Sequence, residues 1–242
     1  MSPQNSGALV SGLRSGKKRI LCYVTDRHSL RTPAQTDSLQ PLLEKIELLA
    51  AAGIDWIQLR EKDLSGKQSA VFARDALRGV SNLARQAPIP GRILVNDRLD
   101  VAIAEQADGA HLGENSLAAG DAVRLVRSGH VTTTLTREFL VGVSTHSRDA
   151  AKSAASAGVD YVFFGPVFAT PSKAAYGSPQ GLEQLAEVCA SVTIPVLAIG
   201  GITLENASAC FSAGAAGIAA IRLFQDSTDP AAIIRALHGH TS

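Results

Sequence analysis

Eight short apolar segments recur along the chain, and they constrain the fold more than any other feature of the sequence. Nearly every residue in each segment is apolar, which is typical of strands covered on both faces, as in parallel sheets. The segments are residues 20–25, 54–59, 92–95, 109–112, 140–143, 161–164, 196–199 and 217–221. Between them lie longer stretches with apolar residues at helical spacing, such as Leu42, Ile46 and Leu49. This alternation predicts repeated strand–helix units.

A sequence echo divides the chain into four similar parts. Its copies are residues 51–57, 106–110, 156–162 and 212–218. Each copy is typical of a helix that ends at a glycine and turns directly into a strand. Two strand–helix units in each part predict a single (β/α)8 barrel, an α/β fold. An open doubly wound sheet is the alternative, but it would explain neither the even spacing nor the fourfold echo.

The length and composition fit one barrel domain. A chain of 242 residues is normal for a single α/β barrel, and 45% of its residues are apolar. We expect residues 1–18, which are rich in serine and glycine, to form a disordered tail, and residues 19–242 to form the barrel. The threonine-rich residues 128–139 are expected to form an irregular connection before the fifth strand.

Charge and cysteine content argue against several functional classes. A net charge of +1 disfavours broad binding to nucleic acid or to an anionic membrane. The three cysteines are widely spaced, so neither a disulfide framework nor a zinc site is expected. No apolar run approaches the roughly twenty residues needed to cross a bilayer, and no signal-peptide pattern follows the basic residues near the N-terminus. We therefore expect a cytoplasmic protein.

Polar residues follow the predicted strands, where a parallel barrel carries its active site. Gln58, Arg60 and Lys62 alternate along one extended segment, so they face the same way and suit an anionic substrate. A surface charge cluster is the alternative, but Gln58 and Arg60 lie at an otherwise apolar strand end. Asn96 and Asp97 follow the third strand, where the carboxylate could hold Mg²⁺ or the pair could cap the next helix. The residues alone leave these two roles open.

Two further loops are candidates for phosphate binding. After the sixth strand, a Gly-Pro pair leads into the hydroxyls of Thr170 and Ser172 and the charge of Lys173. After the seventh strand, Gly200 and Gly201 are expected to open a helix whose bare N–H groups bind phosphate. A tight turn with positive φ would also require glycine there.

His146 and Arg222 stand at the ends of the fifth and eighth strands. His146 could move a proton, because histidine titrates near neutral pH, or it could be a hydrogen-bonded structural residue. Arg222 occupies a position where a small residue would be expected, and it could bind phosphate or fill the pocket.

Taken in order, these motifs resemble the thiamine phosphate synthase family and its relative, the TenI thiazole tautomerase. The matching segments are residues 23–27, 58–62, 96–98, 109–113, 142–147, 165–173 and 198–203. The resemblance implies a (β/α)8 barrel that joins hydroxymethylpyrimidine pyrophosphate to a thiazole phosphate in the presence of Mg²⁺ and releases pyrophosphate. The expected partners are therefore these small-molecule substrates, and a homo-oligomer is compatible with the sequence.

The resemblance also implies roles for individual residues. Gln58, Arg60, Lys62 and Asn96 would bind the pyrimidine pyrophosphate, and Ser144 and Lys173 would contact its pyrophosphate group. Thr170, Ser172 and Gly201 would bind the thiazole phosphate. With the strand-end pattern, the candidate substrate ligands are Gln58, Arg60, Lys62, Asn96, Ser144, Thr170, Ser172, Lys173, Gly200, Gly201 and Arg222. The candidate catalytic residues are Lys62, Ser144, His146 and Lys173, and the candidate Mg²⁺ ligand is Asp97.

Two positions depart from the synthase pattern. Ser116 stands where the synthase has an acidic second metal ligand, with Glu114 two residues earlier, and Arg222 stands where the family usually has a serine. Both changes favour the tautomerase, in which a histidine at the position of His146 moves a proton on the thiazole. The Asn96–Asp97 pair and the complete 58–62 motif favour the synthase, which is our main hypothesis. A non-catalytic barrel that binds thiamine precursors is the third.

Overall fold

In a computed structural model, which describes residues 19–30, 38–84, 91–113, 116–129, 137–170 and 178–239, parallel strands form a closed barrel. The strands are β1 (Ile20–Val24), β2 (Trp56–Leu59), β3 (Arg92–Asn96), β4 (Gly109–Leu112), β5 (Leu140–Thr145), β6 (Tyr161–Phe164), β7 (Val196–Ile199) and β8 (Gly217–Ala220). Each strand pairs with the next in the chain, and β8 pairs with β1. The predicted (β/α)8 fold is therefore confirmed.

Helices follow the strands and cover the outside of the barrel. They are α1 (Gln40–Ala51), α2 (Gly66–Ala84), α3 (Leu99–Ala104), α4 (Ala119–Arg127), α5 (Arg148–Ser156), α6 (Gly181–Ser191), α7 (Ala207–Ser212), α8 (Arg222–Gln225) and α9 (Pro230–Gly239). The apolar residues predicted to share one face of α1, which are Leu42, Ile46 and Leu49, are all fully buried. Among the described residues, no helix is both long and apolar enough to cross a membrane.

Alternation along each strand sorts the core into two layers. Residues such as Leu21, Ile57 and Val162 face outward and pack beneath the helices. The inward-facing residues form a separate cluster inside the barrel, which is Ile20, Cys22, Val24, Trp56, Leu94, Leu140, Tyr161, Phe163, Leu197 and Ala219. The barrel interior is thus a packed core rather than a pore.

Aromatic side chains fill the middle of this interior cluster. The rings of Trp56 and Tyr161 lie 4.7 Å apart between centroids, and those of Tyr161 and Phe163 lie 5.5 Å apart. Tyr161 fits because Gly142 on the neighbouring strand has no side chain, and a Cβ there would overlap the tyrosine ring. The aromatic rings therefore close the barrel below its carboxyl-terminal mouth.

The fourfold echo has a structural explanation at the opposite end of the barrel. In three copies the helix ends at a glycine with positive φ, as at Gly53, where φ is 91°, and in the remaining copy Gln106 takes this conformation with a φ of 58°. In three of the four copies, an aspartate two residues later accepts a hydrogen bond from a backbone N–H of the preceding strand, while the copy at Gly214 has Ala216 at this position. These bonds are Leu21 N to Asp55 Oδ2 at 3.0 Å, Ile93 N to Asp108 Oδ2 at 2.8 Å and Val141 N to Asp160 Oδ2 at 2.7 Å.

Some predicted boundaries differ from the structure, and some predictions lie outside the described residues. The helix predicted directly after Gly200 and Gly201 is wrong, because a turn spans residues 203–206 and α7 begins only at Ala207. This turn forms because Thr203 N donates to Asn206 Oδ1 at 2.8 Å. The predicted N-terminal tail, residues 1–18, and most of the predicted irregular connection, residues 130–136, lie outside the described residues.

The packing of Tyr161 against Gly142 predicts a strong effect of a single added methyl group. Gly142→Ala should lower the free energy of unfolding by about 2 kcal/mol or more, because the barrel interior has no space for the methyl group. Urea denaturation measures the change. Gly239→Ala is the control, since a Cβ at Gly239 contacts nothing within 4 Å, and it should change stability by less than about 1 kcal/mol. Equal denaturation midpoints for the two variants would contradict the interpretation.

Candidate active site

Four polar side chains line the barrel interior above the aromatic rings: Gln58, Asn96, His111 and Ser144. They occupy inward positions on β2, β3, β4 and β5, and Asn96 pairs in register with His111. Gln58 and His111 are almost fully buried, with 2% and 1% exposure, whereas Asn96 and Ser144 are partly exposed. Buried polar groups require hydrogen-bond partners, and these side chains find them largely in one another.

A chain of hydrogen bonds joins three of the predicted site residues. Gln58 Nε2 donates to Asn96 Oδ1 at 2.7 Å, and Asn96 Nδ2 donates to Asp97 Oδ2 at 2.6 Å. The chain fixes the orientation of the Asn96 amide, because its oxygen must face Gln58 and its nitrogen must face the carboxylate. The structure therefore brings Gln58, Asn96 and Asp97 together at the carboxyl ends of β2 and β3.

The backbone at Asp97 is strained. Its φ is 60°, which is unusual for a residue other than glycine, and Arg98 N donates to Asn96 O at 2.7 Å across it, as in a γ-turn. The Asp97 carboxylate accepts hydrogen bonds from Gly113 N at 2.9 Å and from the Ser116 hydroxyl. These hydrogen bonds stabilise the aspartate in its strained backbone conformation. They also show that position 116 adjoins Asp97, while Glu114 lies outside the described residues.

His111 connects the interior to Ser144. Its Nε2 lies 2.9 Å from Ser144 Oγ, its Nδ1 lies 3.1 Å from the Tyr161 hydroxyl, and its ring is 4.1 Å from that of Phe163. Burial lowers the pKa of His111 to about 3, with an opposing effect of the Asp97 charge and a further lowering by the Arg60 charge. The ring is therefore neutral at physiological pH. Sequence reasoning did not select His111, although alternation along β4 places it beside Asn96.

The loop after β2 is held by its acidic residue. The Glu61 carboxylate accepts hydrogen bonds from Thr25 and Arg27 of the loop after β1. Arg60 lies close enough to His111 for its charge to affect the pKa of the imidazole. Lys62 is exposed and lines a cavity of about 320 Å³ together with Glu61, Asn96 and Asp97.

The loops after β6 and β7 pack closely against each other. Val167 N donates to Ile199 O at 2.9 Å, and Phe168 N donates to Gly200 O at 3.0 Å. Gly200 and Gly201 have φ values of 97° and 66°, and a Cβ on Gly200 would lie 2.5 Å from Pro166 Cα. The chain path therefore requires both glycines, which supports the tight-turn interpretation. Their role in phosphate binding stays a prediction.

The structure describes some of the remaining predicted site residues and not others. Thr170 is half-buried at the end of the loop after β6, whereas Ser172 and Lys173 lie outside the described residues. His146 Nδ1 donates a hydrogen bond to the Gly165 carbonyl, and a carbonyl can only accept, so Nδ1 carries the proton. Arg222 is exposed and is the first residue of α8.

Together, the closed barrel and the polar side chains at the carboxyl ends of its strands define a (β/α)8 protein with a small-molecule site at the barrel mouth. The chain belongs to the thiamine monophosphate synthase family, whose model matches residues 22–224. The predicted family is therefore confirmed.

Individual relatives match nearly the whole chain. It is 41% identical over 217 residues to a protein named putative thiamine-phosphate synthase from Geobacter sulfurreducens, covering 90% of this chain and 92% of that protein. It is 44% identical over 217 residues to a thiamine-phosphate synthase from Methanoculleus marisnigri, with coverage of 90% and 92%. A solved structure of thiamine phosphate pyrophosphorylase from Pyrococcus furiosus is 27% identical, has a TM-score of 0.73, and is matched over 92% of this chain and 95% of that chain.

The buried neutral His111 predicts a pH-dependent loss of stability. Its pKa in the folded protein is below the unfolded value of 6.5, so the unfolded chain binds the extra proton and stability falls as the pH decreases from 6.5 toward 3. Between pH 7 and pH 5 this residue should account for a loss of about 2 kcal/mol. Urea denaturation at both pH values, compared between the wild type and His111→Gln, isolates the effect. If His111→Gln loses as much stability between pH 7 and pH 5 as the wild type does, the prediction is wrong. His28→Gln, which removes an exposed histidine, is the control.

Proposed function

We propose that the protein is a thiamine phosphate synthase, a transferase that joins hydroxymethylpyrimidine pyrophosphate to a thiazole phosphate and releases pyrophosphate. The observation that carries this proposal is the hydrogen-bonded chain from Gln58 through Asn96 to Asp97, with the Arg60 charge near His111 and Lys62 lining a cavity with Asn96 and Asp97. A carboxylate and two cations next to a buried amide suit a pyrophosphate attached to a hydrogen-bonding ring. The names of the relatives agree with it.

The reaction would proceed by loss of pyrophosphate from the pyrimidine, followed by attack of the thiazole nitrogen on the resulting cation. Arg60 and Lys62, with the predicted Lys173, would neutralise the leaving pyrophosphate. Because Gln58 Nε2 donates to Asn96, Gln58 Oε1 is the atom suited to accept a hydrogen bond from the amino group of the pyrimidine. Ser144 would contact the pyrophosphate. No general base is needed, since the attacking nitrogen carries a lone pair.

The interior of the barrel would protect the cationic intermediate. His111 is neutral, so it adds no positive charge that would repel a pyrimidine cation. The aromatic rings below it, including Tyr161 and Phe163, belong to the apolar cluster that fills the barrel interior. Exclusion of water would favour capture by the thiazole over hydrolysis.

The residues at Asp97 fit Mg²⁺ of the kind that the family resemblance implies. Mg²⁺ is usually held by one or two carboxylates, with substrate phosphates and water completing its octahedron. Asp97 and the Ser116 hydroxyl supply oxygen atoms. When bound, Mg²⁺ would neutralise charge on the pyrophosphate. Thr170, Ser172, Gly200, Gly201 and Arg222 stay predicted ligands of the thiazole phosphate.

The contact between Ser116 and Asp97 predicts how the metal site could be strengthened. Ser116→Asp places a second carboxylate beside Asp97, so the variant should melt at a lower temperature than the wild type without Mg²⁺ and gain more from added Mg²⁺. The Mg²⁺ concentration for half-maximal synthase activity should fall about tenfold. Ser153→Asp adds the same charge on exposed α5 and should change neither quantity. No extra Mg²⁺ stabilisation in Ser116→Asp would mean that the metal is held elsewhere.

The tautomerase is the second candidate, and the position of His146 favours it. With a proton on Nδ1, Nε2 is the ring nitrogen that would take part in proton transfer. Incubating the pure protein with both substrates and Mg²⁺ separates the candidates. We expect thiamine phosphate and pyrophosphate, and we expect Asp97→Asn to lower kcat/KM by about 100-fold. Absence of product, together with thiazole isomerisation that His146→Ala abolishes, would instead establish the tautomerase. If neither thiamine phosphate formation nor thiazole isomerisation is detected, the non-catalytic barrel that binds thiamine precursors is the remaining hypothesis.

A further inference from the structure

Glu61 has an unusual environment for a residue in a loop at an active-site mouth. Its side chain is only 2% exposed, and both carboxylate oxygens accept hydrogen bonds. Thr25 Oγ1 donates to Oε1 at 2.7 Å, while Arg27 donates to Oε2 through its backbone N at 3.1 Å and through Nη1 at 3.2 Å. These donors all belong to the loop that follows β1.

The same loop contacts the residues on either side of Glu61. Arg60 N donates to Thr25 Oγ1 at 2.8 Å, so this hydroxyl joins the backbone of one candidate ligand to the carboxylate of Glu61. Arg27 also forms a two-pronged pair with Asp63, and it holds the pKa of that carboxyl well below its usual range. The segment that carries Arg60 and Lys62 is therefore held at Arg60, Glu61 and Asp63.

The loop after β1 is itself anchored on its other side. Gln225 on α8, with 6% exposure, donates through Nε2 to Asp26 O at 2.9 Å and to Ser29 Oγ at 2.7 Å. Its Oε1 accepts from the Tyr23 hydroxyl at 2.6 Å. The hydrogen-bonding groups of this buried amide therefore bind the loop to the barrel wall.

A buried ion pair contributes little net stability, because desolvation of the two charges offsets their attraction. The side chain of Arg27 is 7% exposed, so the Arg27–Glu61 pair belongs to this class. Its directional hydrogen bonds nevertheless hold one backbone geometry. A role in positioning therefore explains the pair better than a role in stability.

We propose that Glu61 is a positioning residue for the pyrophosphate site: through Thr25 and Arg27 it fixes the backbone from which Arg60 and Lys62 reach the anionic substrate. This inference rests on the proposed function. It does not require Glu61 to touch the substrate.

The test compares KM values for the two substrates. In Glu61→Gln the amide nitrogen would oppose the donors of Arg27 or Thr25, so the KM for the pyrimidine pyrophosphate should rise about tenfold. The KM for the thiazole phosphate should change less than about twofold. Thr25→Val, which removes only the hydroxyl, should cause a smaller rise, and Thr25→Ser should restore the wild-type value. Glu105→Gln is the matched control, because Glu105 forms a bidentate pair with Arg74 on α2, and it should leave both KM values unchanged.

A double substitution distinguishes positioning from general destabilisation. If Glu61 acts through Arg60 and Lys62, adding Glu61→Gln to a variant that already carries Arg60→Met and Lys62→Met should produce little further rise in KM, whereas a structural defect would raise it equally in both backgrounds. Equal changes in the two KM values, or full additivity, would overturn the inference. If Glu61→Gln does not fold, the two Thr25 variants decide the question.

Failure of the proposed function would be recognised separately. If the wild type forms no thiamine phosphate, calorimetric titration with inorganic pyrophosphate and Mg²⁺ replaces the kinetic measurement. Weaker pyrophosphate binding in Glu61→Gln than in Glu105→Gln would then support the positioning role without the synthase. Wild-type protein that neither reacts nor binds pyrophosphate would overturn both proposals.

Discussion

The depth of the candidate site depends on how the barrel interior is filled. Tyr161 occupies the space that Gly142 leaves, and its ring packs against Trp56 at 4.7 Å. Because these rings close the barrel below His111, the mouth is a shallow polar cup rather than a channel. A ligand must then lie at the rim, where the loops after the strands supply charges and hydroxyl groups. The chemistry of the protein is thus confined to those loops by the packing beneath them.

The alternation that forms the barrel also separates the side chains that follow β2. Gln58 donates to Asn96 inside the barrel, while Glu61 and Asp63 bind the loop after β1. A slip of one residue would reverse which side chains face the interior, so the register of this segment determines the polar lining of the mouth. Backbone bonds fix that register, including Thr25 N to Gln58 O at 2.9 Å.

Local patterns predicted the fold because strands covered on both faces must be apolar, and all eight observed strands overlap the predicted segments. The site was only partly predictable, because several of its contacts join residues far apart in sequence. His111 meets Tyr161 across 50 residues, and Gln225 meets Asp26 across 199. The helix placed directly after Gly201 was wrong for a local reason. Short polar residues such as Thr203 and Asn206 favour both helix caps and independent turns, and here they form a turn.

Asp97 depends both on its local backbone conformation and on contacts with residues distant in the sequence. Its φ of 60° costs on the order of 1–3 kcal/mol for a residue with a side chain. Glycine would adopt this backbone without strain, so the backbone does not explain the aspartate. The carboxylate explains why aspartate stands here, because it accepts hydrogen bonds from Asn96, Gly113 and Ser116 and still lies at an exposed edge of the mouth. A carboxylate held this firmly, in a cavity that Lys62 also lines, supports the Mg²⁺ site proposed above.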